Sequence, residues 1–457
     1  MPYFSSLIFY TNNCMHYRPA QEHRKFESEA VEQTIIRVSQ SIADKELAAL
    51  FERCFPNTLD TTVHFKTLDG KPDTFIITGD INAMWLRDST AQVWPYVPLA
   101  KDDERLKLML RGVINRHVKC ILIDPYANAF NEGLTESGWG KDFTEMKPGL
   151  HERKWEIDSL CYPIRLSYGF WKETGDALCF DSEWQQAAKR IVQTFQVQQR
   201  KTDRGPYTFG RSTSWSTDTV PGNGYGNPIH PVGLIASIFR PSDDATIYPF
   251  LVPANYFAVV SLRQLAEIYR IVIQDFEFAA TCASLAREVE SALHEYAIAE
   301  HLHFGNIFAY EVDGFGNKLF MDDANVPSLL SLPYLGCCAS DSAIYQNTRA
   351  FILSRNNPYF FKGTAAEGIG SPHTLINNIW HIGITMRALT ANNDDEIIAC
   401  LKYLKTTHAG TGVLHESFNK DDANDFTRKW FAWANSLFGE LILTLYSEKP
   451  ELLKKIF

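Results

Sequence analysis

The chain has 457 residues and a formal net charge of −10, with Lys and Arg scattered rather than clustered, so it offers no broad cationic face and nucleic acid is excluded as a partner. Apolar residues at 45% and charged residues at 21% are the proportions of a folded protein with a large core and exclude an extended disordered chain. No run approaches the roughly 20 apolar residues of a membrane span.

Residues 1–25 are weakly periodic and read as a peripheral arm, ahead of a single domain over 26–457. Within the arm, Phe4 to Tyr10 is apolar but has no basic residue before it and no small-residue cleavage site after it, so it is not a signal peptide. The chain as it stands reads as cytoplasmic. Periplasmic or secreted is the alternative if the natural start carries an export signal.

Apolar residues at Leu106, Met109, Leu110, Val113, Ile114, Val118 and Ile121 fall at 3-and-4 spacing and predict a helix. Ser182 opens another, with Trp184, Ala187, Ala188, Ile191, Val192 and Phe195 on one face. Similar stripes run over 256–272, 276–296, 377–389 and 430–446, for about a dozen helices in all. Phe308 to Val312 and Lys318 to Met321 flank the turn cluster Asp313-Gly314-Phe315-Gly316-Asn317 and predict a β-hairpin. The connections over 78–89, 127–158, 206–244, 361–374 and 410–427 are long and rich in Gly, Pro, Trp and Asp, and long structured loops in a compact domain usually carry function. Elaborate loops alternating with plain ones suit a toroid of helical hairpins with one active face.

Three constellations stand in those loops. In Thr78–Ser89, Asp88 and Ser89 read either as a helix N-cap or, with Arg87 and Trp85, as a sugar subsite in which Asp88 accepts from vicinal hydroxyls, Arg87 donates and Trp85 forms a wall. In Phe239–Ala245, Ser242 is a plausible N-cap; two consecutive acids would then point about 100° apart, so one of them aims into a cleft. Asp243 is favoured as a general acid, with Asp244 in a binding or supporting role. In Gly412–Asp422, Glu416 lies between His415 and Ser417 ahead of an aromatic helix, and is the candidate general base. Glu152, Lys154, Glu156 and Asp158 alternate in one segment as either pocket residues or a solvated face. Asn325 and His373 sit in polar loops where function and capping compete evenly. No HExxH or CxxC spacing is present, so no metal and no cofactor is expected. The nine Cys are an odd count with Cys337 and Cys338 adjacent, which reads as reduced, buried thiols.

Cleavage of a glycosidic bond requires one carboxyl that is protonated and one that is ionised, and Asp243 with Glu416 can supply that pair. An acid at Asp243 should be kept protonated by burial or by Asp244. The aromatic share of 13% suits a sugar site, although on composition alone packing of a large core is the better explanation.

The blocks DINAMWLRDS, KWEIDSLCYPI, GLIASIFRPSDDA, MDDANVPSLLSLPYLG, GSPHT and LHESF followed by WFAWANSLFGEL, in that order, resemble glycoside hydrolase family 125, the metal-independent exo-α-1,6-mannosidases. The resemblance implies an all-α (α/α)6 toroid and inverting release of non-reducing terminal mannose from α-mannosides. It also implies Asp243 as acid, Glu416 as base, and Arg87 and Asp88 as terminal-subsite residues. Trp85, Asp158, Asp244, Asn325, His373 and His415 complete the expected substrate contacts. A monomer acting on α-mannoside oligosaccharides is expected. The rivals are a sugar epimerase or lyase on the same toroid, using His373 or His415 as base, and a catalytically silent carbohydrate-binding protein.

Overall fold

A computed structural model describes residues 18–457. Twelve α-helices of eight or more residues run through that span: α1 (Glu29–Ser39), α2 (Lys45–Cys54), α3 (Leu86–Val93), α4 (Glu104–Ile123), α5 (Ile157–Thr174), α6 (Ser182–Gln198), α7 (Val252–Ile268), α8 (Phe276–Tyr296), α9 (Ala343–Ile352), α10 (His381–Leu389), α11 (Asp394–Thr406) and α12 (Ala432–Glu448). Helix α3 packs on α5, α5 on α7, α10 on α12 and α12 back on α3, which makes these five the inner ring of an (α/α)6 toroid. The sixth inner position falls to the turns over 328–336, where Leu329, Leu330, Leu332 and Leu335 are buried. Pro327 and Pro333 each remove a backbone donor there, which works against a regular helix. Outside the ring, α2 backs α12, α4 backs α5, α8 backs α7 and α11 backs α10.

With the exception of α9, whose N-cap Ser342 makes no side-chain cap, inner and outer helices begin differently. Ser28, Asp44, Asp103, Asp181, Asp275 and Asn393 cap α1, α2, α4, α6, α8 and α11, each accepting from amides of the first turn. The inner helices α3, α5, α7, α10 and α12 have no side-chain cap; their N-cap residues are Trp85, Glu156, Leu251, Trp380 and Phe431. Three of these, Trp85, Trp380 and Phe431, line one cavity, so uncapped helix starts, with their partial positive charge, gather around it.

Several expected elements differ in detail. The stripe over 377–389 divides into a strand, Asn378–Trp380, and α10, because the strand pairs with Ser417–Asn419. The expected hairpin forms between Glu311–Val312 and Lys318–Leu319, while Phe308 belongs to a second hairpin with Ile298–His301. Asp88 and Ser89 lie inside α3 and do not cap it. No helix follows Ser242.

Of the expected arm, residues 1–17, including the apolar run Phe4 to Tyr10, lie outside the described residues. Arg18 is tied down by Glu32 and Asp60, each at 2.8 Å. The eight described cysteines are free, and six of them are buried. Among the described residues no helix is long and apolar enough to cross a membrane.

Candidate active site

The cavity at the inner helix starts has a volume of about 670 Å³ and is lined by residues from every expected functional loop. Its tryptophans grade in exposure from Trp380 and Trp433 at 2% and Trp85 at 7% to Trp139 at 41% and Trp215 at 45%, as in a pocket with a closed end and one mouth.

Asp243 stands at the tip of a tight turn rather than on a helix. Phe239 and Ala245 form an antiparallel bridge, and the Asp243 amide donates to the Arg240 carbonyl at 2.9 Å. Asp243 itself has φ +65°, a left-handed conformation that Asp tolerates better than most residues. Three buried groups hold this turn. The Trp155 carbonyl accepts from the Ile238 and Phe239 amides. Glu311 accepts from Arg240 Nε at 2.6 Å and from the Ile247 and Tyr248 amides. In the first turn of α7, Asn255 accepts from the Ile235 amide at 2.8 Å and donates to the Ile235 carbonyl at 3.0 Å.

The Asp243 side chain is 20% exposed; Arg87 Nη2 and Asn128 Nδ2 each donate to its Oδ1 at 3.1 Å, and the Glu156 carboxyl is a further hydrogen-bonding neighbour. Lys154 Nζ donates to the Asp243 carbonyl at 2.8 Å. Burial works against the charged carboxylate, but Arg87 and Lys154 outweigh it and hold Asp243 well below the usual carboxylate range. The expectation of an acid kept protonated by burial or by Asp244 is therefore corrected. Arg87, 3% exposed, also gives Nη1 to Glu156 at 2.6 Å and to Asp158 at 3.1 Å. Burial pushes Glu156 well above the ordinary carboxylate value and Asp158 and Asp88 up to about 6.

Asp244 accepts from Thr217 Oγ1 at 2.6 Å and Ser242 Oγ at 2.7 Å and pairs with His373 Nδ1 at 3.4 Å. Burial disfavours the charged ring of His373, but the hydrogen bond and charge of Asp244 raise it to about 9. This imidazolium faces the cavity as a donor. Asn325, on the cavity wall, is oriented by Asp323 Oδ1, which accepts from its Nδ2 at 3.0 Å.

Glu416 comes from the other side of the ring, just before the strand Ser417–Asn419. Asn435, in the first turn of α12, accepts from the Leu414 amide at 2.9 Å and donates to the Leu414 carbonyl at 3.2 Å. Asn255 and Asn435 thus hang the Asp243 and Glu416 segments by the same device. Thr427 Oγ1 donates to Glu416 Oε2 at 2.9 Å, and Arg428 Nη1 reaches Oε1 at 3.4 Å while its other nitrogens hold Asp80.

Trp85, Arg87, Asp88, Asp243, Asp244, Asn325, His373 and Glu416 all line the cavity; Asp158 and His415 do not. Asp158 is fully buried behind Arg87, so it aims the guanidinium rather than facing a ligand. His415 turns inward: its ring stacks on Phe426 at 3.9 Å and its nitrogens contact the carbonyls of Lys429 and His408. Sequence reasoning missed Arg428, Asp218 and Arg211, whose guanidinium lies 3.8 Å over Trp139 and binds Asp142, Glu152 and Asp218. The length and composition of the 206–244 loop are the signal that pointed to two of them. Among the described residues no group of three or more His, Cys, Asp or Glu side chains is placed to hold a metal ion.

Residues 44–443 match the family described as metal-independent alpha-mannosidase, GH125. A Schizosaccharomyces pombe protein described as "Meiotically up-regulated gene 157 protein" is 43% identical, with 96% of this chain and 90% of that protein covered. A Streptococcus pneumoniae metal-independent α-mannosidase, solved as a non-productive complex with α-1,6-mannobiose, superposes with a TM-score of 0.89 at 41% identity over 93% of this chain and all of its own. The glucoamylase of Saccharomycopsis fibuligera shares the fold at a TM-score of 0.53 and 12% identity, covering 94% of this chain and 98% of its own.

Proposed function

The chain belongs to the metal-independent α-mannosidases of glycoside hydrolase family 125, and from that premise we propose that it is an inverting exo-α-1,6-mannosidase. Asp243 protonates the glycosidic oxygen, and Glu416 takes the proton of a water that attacks the anomeric carbon from the opposite face. The observation that carries this reading is that these two carboxyls, far apart in sequence and hung from α7 and α12, line one cavity. Both protein contacts of Glu416 are donors, which suits an acceptor awaiting a water proton. The gradient of tryptophan exposure favours a dead-ended pocket, which admits a chain end and not a chain middle. The 1,6 linkage is carried over from the mannobiose bound by the pneumococcal relative.

The epimerase or lyase reading needs a histidine base. His415 faces away from the cavity, and His373 at about 9 is already protonated near neutrality. An NMR time course on α-1,6-linked mannobiose tests the proposal. Mannose should appear with its β-anomer first, and Glu416→Gln should slow turnover by about 10²-fold or more. Release of the α-anomer first would refute inversion, and full turnover by Glu416→Gln would refute the base.

A further inference from the structure

A general acid must carry a proton, yet Asp243 is surrounded by donors that keep it ionised. A proton is held next door. Four carboxyls, Asp88, Glu156, Asp158 and Asp243, crowd one guanidinium, Arg87. A second cation, Lys154, is shared with Asp218 at 2.7 Å and Glu152 at 3.4 Å. So much negative charge with so little water forces a proton to stay on the cluster. Glu156 has the environment to keep it. It is fully buried, and both of its donors, Arg87 Nη1 at 2.6 Å and Ser159 Oγ at 2.8 Å, land on Oε2. Oε1 has no hydrogen-bond donor among the described residues. A bare carboxylate oxygen in a dry interior is costly, whereas a carboxylic acid is not. After burial and Arg87, it is the charge of Asp243 that acts most strongly on Glu156, which stands high while Asp243 stands low. Tyr207 also acts on Glu156, Lys154 and His373 act on Asp243, and Glu152 shares the Asn128 amide with Asp243.

We propose that Glu156 stores, as a neutral carboxylic acid, the proton that Asp243 delivers, so that the Glu156–Asp243 pair and not Asp243 alone is the acid of the reaction. This rests on the reading of Asp243 as the acid. The Glu156 O–H bond breaks as its proton bonds to the Asp243 carboxylate, and an Asp243 O–H bond breaks as that proton bonds to the glycosidic oxygen, which leaves the anomeric carbon. Water bonds to that carbon and loses a proton to Glu416. Glu416 then returns its proton to solvent and solvent restores one to the pair, so the cycle consumes one water and no net proton. Glu156 is a positioning residue, since it acts through Asp243.

The test compares α-1,6-mannobiose, whose leaving oxygen needs a proton, with α-mannosyl fluoride, whose leaving group does not. Asp243→Asn should lose mannobiose turnover and keep fluoride hydrolysis; normal turnover of mannobiose would overturn the role of Asp243 itself. Given that result, Glu156→Gln should lower kcat on mannobiose by about 10-fold or more with KM little changed and fluoride hydrolysis kept. Its basic limb of kcat/KM should move down by about one pH unit or more, since Asp243 then titrates alone beside Arg87 and Lys154. An unmoved basic limb, or equal losses on both substrates, overturns the proposal. If Glu156→Gln does not fold, wild-type protein carrying ¹³C at glutamate Cδ gives the answer: a resonance that stays protonated at about pH 8, above buried Glu440 at about 7, should move in Asp243→Asn. The absence of such a resonance overturns it equally.

Discussion

Replacing Arg87 by Met removes the guanidinium that Asp88, Glu156, Asp158 and Asp243 share, and the consequence can be worked from the geometry. Arg87→Met leaves Glu156, Asp158 and Asp243, now held at 2.6, 3.1 and 3.1 Å, without their guanidinium. Breaking a buried ion pair from one side costs about 3–5 kcal/mol, because the remaining charge is left uncompensated. An unfolding entropy of roughly 2.1 cal/mol/K per residue gives about 1 kcal/mol/K for a chain of this length, so Tm should fall by about 3–5 °C. The loss should depend on pH. Without Arg87 the folded-state pKa values of Glu156 and Asp158 rise further above their unfolded values and the depression of Asp243 is relieved, so the folded variant binds more protons than the folded wild type. The stability linked to those protons is fully present below the unfolded carboxylate values and is lost as pH rises through the raised ones. Wild-type Asp88 and Asp158 already stand at about 6, so their part of the variant's deficit should grow from about pH 5 to about pH 8, while the part lost with the depressed Asp243 is present at both. Differential scanning calorimetry of both proteins at the two pH values measures it. A deficit below about 1 °C, or one equal at both pH values, refutes the claim that Arg87 compensates a buried acidic cluster.

Two further outcomes follow from the site. Asn435 is fully buried and holds the Leu414 amide and carbonyl, so Asn435→Ala should cost about 1–3 kcal/mol for the orphaned amide and lower kcat on mannobiose by displacing Glu416. Urea unfolding and steady-state kinetics read the two effects, and a variant that loses stability but keeps kcat would show that the clamp does not place the base. His373 should titrate near 9 by NMR, contributing stability that is full below its unfolded value of about 6.5 and lost as pH rises through about 9. In Asp244→Asn the midpoint should drop below about 7; a midpoint that stays near 9 contradicts the assignment of Asp244 as its cause.

The apolar stripes of α4, α6, α8 and α12 are readable in the sequence because a helix and its 3-and-4 spacing arise from contacts within one turn of the chain. The long loops were legible for a related reason, since their Gly, Pro, Trp and Asp content breaks that spacing. Residue types also marked Asp243, Glu416, Arg87 and Asp88 as chemistry bearers. What the sequence left open depends on distant neighbours. Asp243 and Asp244 read as the first turn of a helix, and only the Phe239–Ala245 bridge with the hold of Trp155 and Glu311 makes them a tight turn, left-handed at Asp243, whose two acids both line the cavity. His415 beside Glu416 looked equally exposed to substrate until Phe426 and two carbonyls claimed its ring. The proton balance of the site lies further still from the sequence. It depends on how many carboxyls share Arg87 and how little water reaches them, and both are set by burial between helices that the chain brings together only on folding.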